Sequence, residues 1–230
     1  MKRLALLLPL LLVALSACSG GSDEAPKRAG APAAKDDSSK YSTLSKSSLK
    51  KAVLTLDDMP TGYSVDPDPA DDSSDDDFTS GDPGCKELVD SADVKSNKVD
   101  EEEASFTQGD YGPFVAESVT TTKEGKAGDG FADARKALDS CNSYTAGEGD
   151  DSVTFKVSRM SFPNLGDETL AYSLSGESSG FPFSGQIVVT RLGDNVILLS
   201  AAGVGGSGMK ASDFEKIART ASKKVAGEAA

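Results

Sequence analysis

Ser184-Gly185-Gln186-Ile187-Val188-Val189-Thr190-Arg191-Leu192, then Gly193-Asp194-Asn195, then Val196-Ile197-Leu198-Leu199 set two apolar runs on either side of a turn triplet. Runs joined by so short a turn read as an antiparallel hairpin, here over residues 184–192 and 195–204. Val196 to Leu199 is apolar at successive positions rather than alternate ones, which suits a central strand covered on both faces. Val153, Phe155 and Val157 instead alternate with Thr154, Lys156 and Ser158, so the strand over 153–160 has one wet face.

Working outward, residues 170–175 give a further strand, and Ala104-Ser105-Phe106 pairs with residues 114–122 across Gln108-Gly109-Asp110-Tyr111-Gly112-Pro113 as a second hairpin. Helical spacing appears four times. Residues 47–53 open on serines and turn at Met59-Pro60-Thr61-Gly62, and residues 83–91 align Cys85, Leu88 and Val89. Phe131, Ala134, Leu138 and Cys141 make a third apolar stripe, while Phe214, Ile217, Ala218, Ala221 and Val225 make a fourth after a Ser212/Glu215 capping box. The order α, α, β, β, α, β, β, β, β, α predicts an α+β domain: a mainly antiparallel sheet of five to six strands with helices packed on it.

Composition excludes more than it assigns. The 230 residues contain no histidine, which removes Ser-His-Asp and Cys-His nucleophiles and every His-ligated metal site. There is no tryptophan to stack sugars or bases, and the net charge of −13 repels phosphate backbones, so nucleic acid is not an expected partner. No cofactor and no metal are expected.

Lys2 and Arg3 precede an apolar run from Leu4 to Leu15, which is shorter than the roughly 20 residues of a membrane span and is followed by small residues. It reads as a signal peptide over residues 1–17. Leu15-Ser16-Ala17-Cys18 resembles the lipobox of bacterial lipoproteins, in which the cysteine is acylated and becomes the first mature residue. That resemblance implies Cys18 as a lipid anchor and the membrane as its partner. Residues 18–46 are rich in Ser, Gly, Ala, Pro and Lys and read as a flexible tether reaching about 30 Å on average. Residues 47–230 are then one extracytoplasmic domain. Cys85 and Cys141 remain; in an exported chain two cysteines on apolar helix faces predict a disulfide, contributing on the order of 4 kcal/mol in the chain-entropy model.

Leu56-Asp57-Asp58-Met59-Pro60-Thr61-Gly62, Cys85, the helix from Ala134 to Cys141, and Pro163 with Gly166-Asp167-Glu168 together resemble a known family. It is the extracellular sensor-like domain of PknH-type actinobacterial serine/threonine kinases, which also occurs alone in lipoproteins. The likeness covers roughly residues 47–225 and implies an exported sheet domain with a cleft and no catalytic role. Kinase-borne members carry a second disulfide, for which this chain has no cysteines, and no binding residues are carried over.

Three motifs have a bland reading beside a sharper one. The eight aspartates from Asp66 to Asp82 lack EF-hand spacing and read as a solvated loop rather than a calcium site. Gly203-Val204-Gly205-Gly206-Ser207-Gly208 matches G-x-G-x-x-G, but a dinucleotide site needs a parallel strand after its helix, so a strand-to-helix connection is expected. Asp167 and Glu168 are adjacent in a turn and suit capping better than acid/base catalysis.

The functional expectation is a non-enzymatic lipoprotein, lipid-anchored on the extracytoplasmic face of the cell membrane. Its binding or sensor-like domain would take a small molecule or envelope component, lined by Phe106, Phe114, Tyr172, Phe181 and Phe183. The alternative is an envelope protein-interaction module that uses Phe181-Pro182-Phe183. A carboxylate-only hydrolase of cell-wall polymer is the remaining enzymatic reading.

Overall fold

Residues 40–66, 78–86, 97–146, 152–178 and 180–230 are described by the computed structural model. The strands are β1 (Ser64–Val65), β2 (Phe78–Gly81), β3 (Lys98–Thr107), β4 (Phe114–Thr122), β5 (Ser143–Ala146), β6 (Val153–Arg159), β7 (Glu168–Ser178), β8 (Phe181–Leu192) and β9 (Asn195–Val204). Among the described residues the helices with both ends defined are α1 (Lys46–Ala52), α2 (Lys126–Asp139) and α3 (Ala211–Glu228), with a 3-10 turn at Leu56–Asp58. Among the described residues the strands form one sheet in the order β1-β3-β4-β9-β8-β7-β6-β5-β2. Every pairing is antiparallel.

The β8–β9 hairpin over residues 181–204 is the middle of that sheet. Leu192 pairs with Asn195 across Gly193-Asp194, and Gly193 sits at φ 64, the left-handed conformation such a two-residue loop requires. Strand β9 is buried along nearly its whole length between β4 and β8, whereas Thr154, Lys156 and Ser158 of β6 are exposed. Both follow from the pattern of apolar residues.

The expected α+β architecture on five to six strands is corrected to one nine-stranded antiparallel sheet with few helices. The additional strands, β1, β2 and β5, are two to four residues long and lie at or near the sheet edges. Strands that short are hard to read from sequence: even the alternation of β5, with Tyr144 and Ala146 buried, spans only four residues. The helices shift as well. Helix α2 starts at Lys126, before Phe131, and α3 starts at Ala211, so Ser212 lies inside the helix and no side-chain cap forms. Residues 83–86 are helical, and residues 87–91 of the expected second helix lie outside the described residues.

Successive side chains of a strand point to opposite faces, and the register therefore sorts the core into two halves. On one face Val115, Val119, Val188, Leu192, Ile197 and Leu199 are covered by α1 and α3, whose Leu49, Phe214 and Ile217 are buried against them. On the other face Leu170, Tyr172, Leu174, Ile187, Val189 and Leu198 are covered by α2 through Phe131, Ala134 and Leu138. Packing on the first face begins before α1: Leu44 is buried, and Ser42 N–H donates to the Ala229 carbonyl at 2.8 Å.

Candidate functional site

Phe181 begins β8 at one end of the sheet, and the loop between β3 and β4 brings Tyr111 to the same end. The Val204 N–H donates to the Tyr111 carbonyl at 3.0 Å and the next N–H, of Gly205, donates to the Pro182 carbonyl at 2.8 Å. Two successive peptides thus tie the two segments to the end of β9. Ser207 Oγ bonds to the Tyr111 and Val204 carbonyls, which closes the turn. The glycines are needed here: a Cβ on Gly203 would stand 2.6 Å from the Ser207 carbonyl, and Gly205 has φ +65. On this fixed rim Tyr111 is 68% exposed and Phe181 is 58% exposed, while most large apolar side chains of the sheet are buried. Asp110 beside Tyr111 is also exposed. An exposed aromatic pair on a braced backbone provides apolar contact area at little ordering cost.

The five aromatic residues expected to line one cleft are instead divided. Phe106 belongs to the core under α1 and α3, and Tyr172 and Phe183 belong to the core under α2. Phe183 meets the Phe155 ring edge-on at 5.4 Å. Phe114 is half-buried, and Phe181 is the member that reaches solvent. Phe181 and Phe183 lie on the same side of β8, and the two rings have different fates, one exposed and one buried.

The remaining sequence candidates hold the fold together. Gly203 to Gly208 is a strand-to-helix connection in a wholly antiparallel sheet, without the parallel strand that dinucleotide binding uses. Asp167 accepts from the Gly193 N–H at 2.7 Å, and Arg191 bonds to Glu168 through Nε at 3.1 Å and Nη2 at 3.0 Å. Arg135 reaches the other Glu168 oxygen at 2.5 Å. These carboxylates fasten the start of β7 to the β8–β9 turn.

Of the aspartate run, Asp66 and Asp82 are described, and residues 67–77 lie outside the described residues. The Asp82 carboxylate takes N–H groups from Asn142 and Ser143, and the Asn142 bonds chiefly hold it below the usual range. Close by, Cys85 and Cys141 are joined by a disulfide with Cα atoms 4.7 Å apart. Cys18 lies outside the described residues.

Glu117 belongs to no sequence motif. It lies in the middle of β4 on the α1/α3 face, between Val115 and Val119, and is 2% exposed. Its Oε2 accepts the Leu54 N–H at 2.5 Å, and no protein donor among the described residues reaches its Oε1. Burial pushes its pKa up to about 7 against the opposing Leu54 bond. Nearby, Lys224 of α3 bonds to Asp58 at 2.5 Å, and Thr55 gives Asp58 two more donors. Burial alone would raise Asp58, but these bonds outweigh it and hold the carboxyl below its usual range. The signal for Glu117 was a charged residue at a core-facing position of an otherwise apolar and hydroxylic strand.

No family model matches the chain, and no curated protein matches it. Among solved structures it is similar to the extracellular domain of PknH from Mycobacterium tuberculosis, with a TM-score of 0.54 at 12% identity. The match covers 80% of this chain and 98% of the other. The two domains share a fold. At that identity the likeness establishes the architecture and carries no site residue from one protein to the other.

Proposed function

We propose that the chain is an exported lipoprotein, acylated at Cys18 after removal of residues 1–17 and held by a tether to the extracytoplasmic face of the cell membrane. Its domain acts by binding and not by catalysis. The observation that carries this reading is the fold shared with the PknH extracellular domain over 80% of the chain. The lipobox-like Leu15-Ser16-Ala17-Cys18 and the lack of any histidine support it from the sequence side. Among the described residues no helix is long and apolar enough to cross a membrane, so attachment would rest on the lipid.

Of the two binding modes, the exposed rim favours an envelope protein as partner over a small molecule held among Phe106, Tyr172 and Phe183, since those rings are packed in the two cores. The rim is also well placed. Leu44 N–H donates to Asn195 Oδ1 and Asn195 Nδ2 donates to the Ser42 carbonyl, both at 2.9 Å, so the tether enters at the first residue of β9. Tyr111 and Phe181 stand at the other end of that ten-residue strand, about 30 Å away. A partner docked there would not compete with the membrane.

Full-length protein produced in an actinobacterial host tests both parts. Acylation predicts that the protein fractionates with membranes and that Cys18→Ala releases it; a Cys18→Ala protein that stays in the membrane fraction would remove the anchor. Cross-linking in those cells should give one partner band that Tyr111→Ala/Phe181→Ala abolishes. A stoichiometric small-molecule adduct in native mass spectrometry, undisturbed by that double substitution, would restore the small-molecule mode.

A further inference from the structure

The buried carboxylate of Glu117 stands under the N-terminal junction of the domain and plays no part in the rim. Residues 53–59 cross over it: Leu54 supplies its one protein hydrogen bond, Val53 and Met59 are buried beside the same core, and Asp58 bonds across to Lys224 of α3. This connector follows directly on α1 and the chain that leads in from residue 40.

We propose that Glu117 is a proton-operated latch for the N-terminal junction: its neutral carboxyl lets residues 53–59 close over β4, and its ionisation favours their release. In the closed form the carboxyl is shielded from water and has one hydrogen bond where a carboxylate needs several, so the closed form prefers the proton. Lifting the connector admits water, and the group then titrates as an ordinary glutamate. The closed state therefore binds more protons than the open state, and opening is favoured as pH rises between the two pKa values.

The other charges around it are few and their effects are known in sign. Asp58 on the 3-10 turn raises the Glu117 pKa and Lys224 on α3 lowers it, while these two neutralise each other at 2.5 Å. On β3, Ala104 pairs with Glu117, and Glu102, two residues away on the same face, adds a further negative charge at greater distance. Helix α1 turns Leu49 and Ala52 inward and keeps Lys50 and Lys51 exposed. On β9 the pairing residue is Leu199. Among the described residues no cation is set against Glu117 from β3, β9 or α1 to offset its burial.

With a closed-state value of about 7 against 4.5 in the open state, raising the pH from 6 to 8 multiplies the opening equilibrium about tenfold. Amide hydrogen exchange on the full chain, corrected for the intrinsic pH dependence of exchange, reads this directly. Protection at Leu54, Asp58 and Met59 should fall about tenfold between pH 6 and 8, with β8 and β9 unchanged and the fall absent in Glu117→Gln. Equal protection at both pH values, or the same fall in Glu117→Gln, would overturn the latch. Should that variant not fold, the carboxyl carbon of Glu117 in the unmutated protein decides: titration near pH 7 supports the proposal, and titration below pH 5.5 ends it.

Discussion

The two faces of the sheet are built on different principles. The face under α1 and α3 is closed by the two ends of the described chain, which meet at Ser42 and Ala229 and bury a nearly continuous apolar core around Leu49, Phe214 and Leu192. The face under α2 is fastened at its margins: a disulfide and Asp82 on one side, and Arg191 with Asp167 and Glu168 on the other. On the α1/α3 face amphipathic helices lie flat on the sheet, and their apolar burial is joined by the Ser42–Ala229 and Leu44–Asn195 hydrogen bonds and the Lys224–Asp58 ion pair. On the α2 face the disulfide and Asp82 fasten the edge where the short strands β2 and β5 meet, and the Arg191 cluster fastens the ends of the long strands β7 and β8.

The widest gap between the faces should appear on removing Phe214, which is fully buried and packs against Phe162 with ring centroids 6.2 Å apart. Phe214→Ala leaves a cavity under the centre of the sheet and should cost about 4 kcal/mol in urea unfolding. Cys85→Ala/Cys141→Ala comes next, at about 3 kcal/mol, because the lost constraint acts mainly on the unfolded chain and Asp82 still holds the corner. A larger loss from the cysteine pair than from Phe214→Ala would reverse the comparison and make the α2 face the main source of stability.

How much of this was legible follows from what leaves a local mark. The central hairpin is marked by two apolar runs around a turn triplet, and the wet face of β6 and the apolar stripes of α2 and α3 by periodicity; all of these elements are present with boundaries moved by a few residues. The strands β1, β2 and β5 span two to four residues, too few for a periodicity to be read, and they account for the difference in strand number. Of the candidate surface, Phe181-Pro182-Phe183 was visible as an apolar tripeptide, but both rings fall on one side of β8, and the burial of Phe183 beside an exposed Phe181 comes from its contact with Phe155, which no local pattern encodes. Tyr111 and Glu117 owe their significance to contacts with residues 204–207 and 54, distances in sequence that no local pattern encodes.

The smallest predicted effect is also the one that separates surface from core most finely. Phe181 and Phe183 lie two positions apart on β8 and point to the same side of the sheet, yet one is 58% exposed and the other 5%. Phe183 is enclosed because it reaches the Phe155 ring, which itself stacks on Tyr144 at 5.2 Å; Phe181 lies beyond the last turn of that packing. Phe183→Ala should therefore cost about 3 kcal/mol, and Phe181→Ala less than about 0.5 kcal/mol, both by urea unfolding. If Phe181→Ala proved as costly as its neighbour, the ring would be a structural closure of the α2 core. A thermodynamically silent Phe181→Ala that loses partner cross-linking makes the ring's exposure itself the functional property.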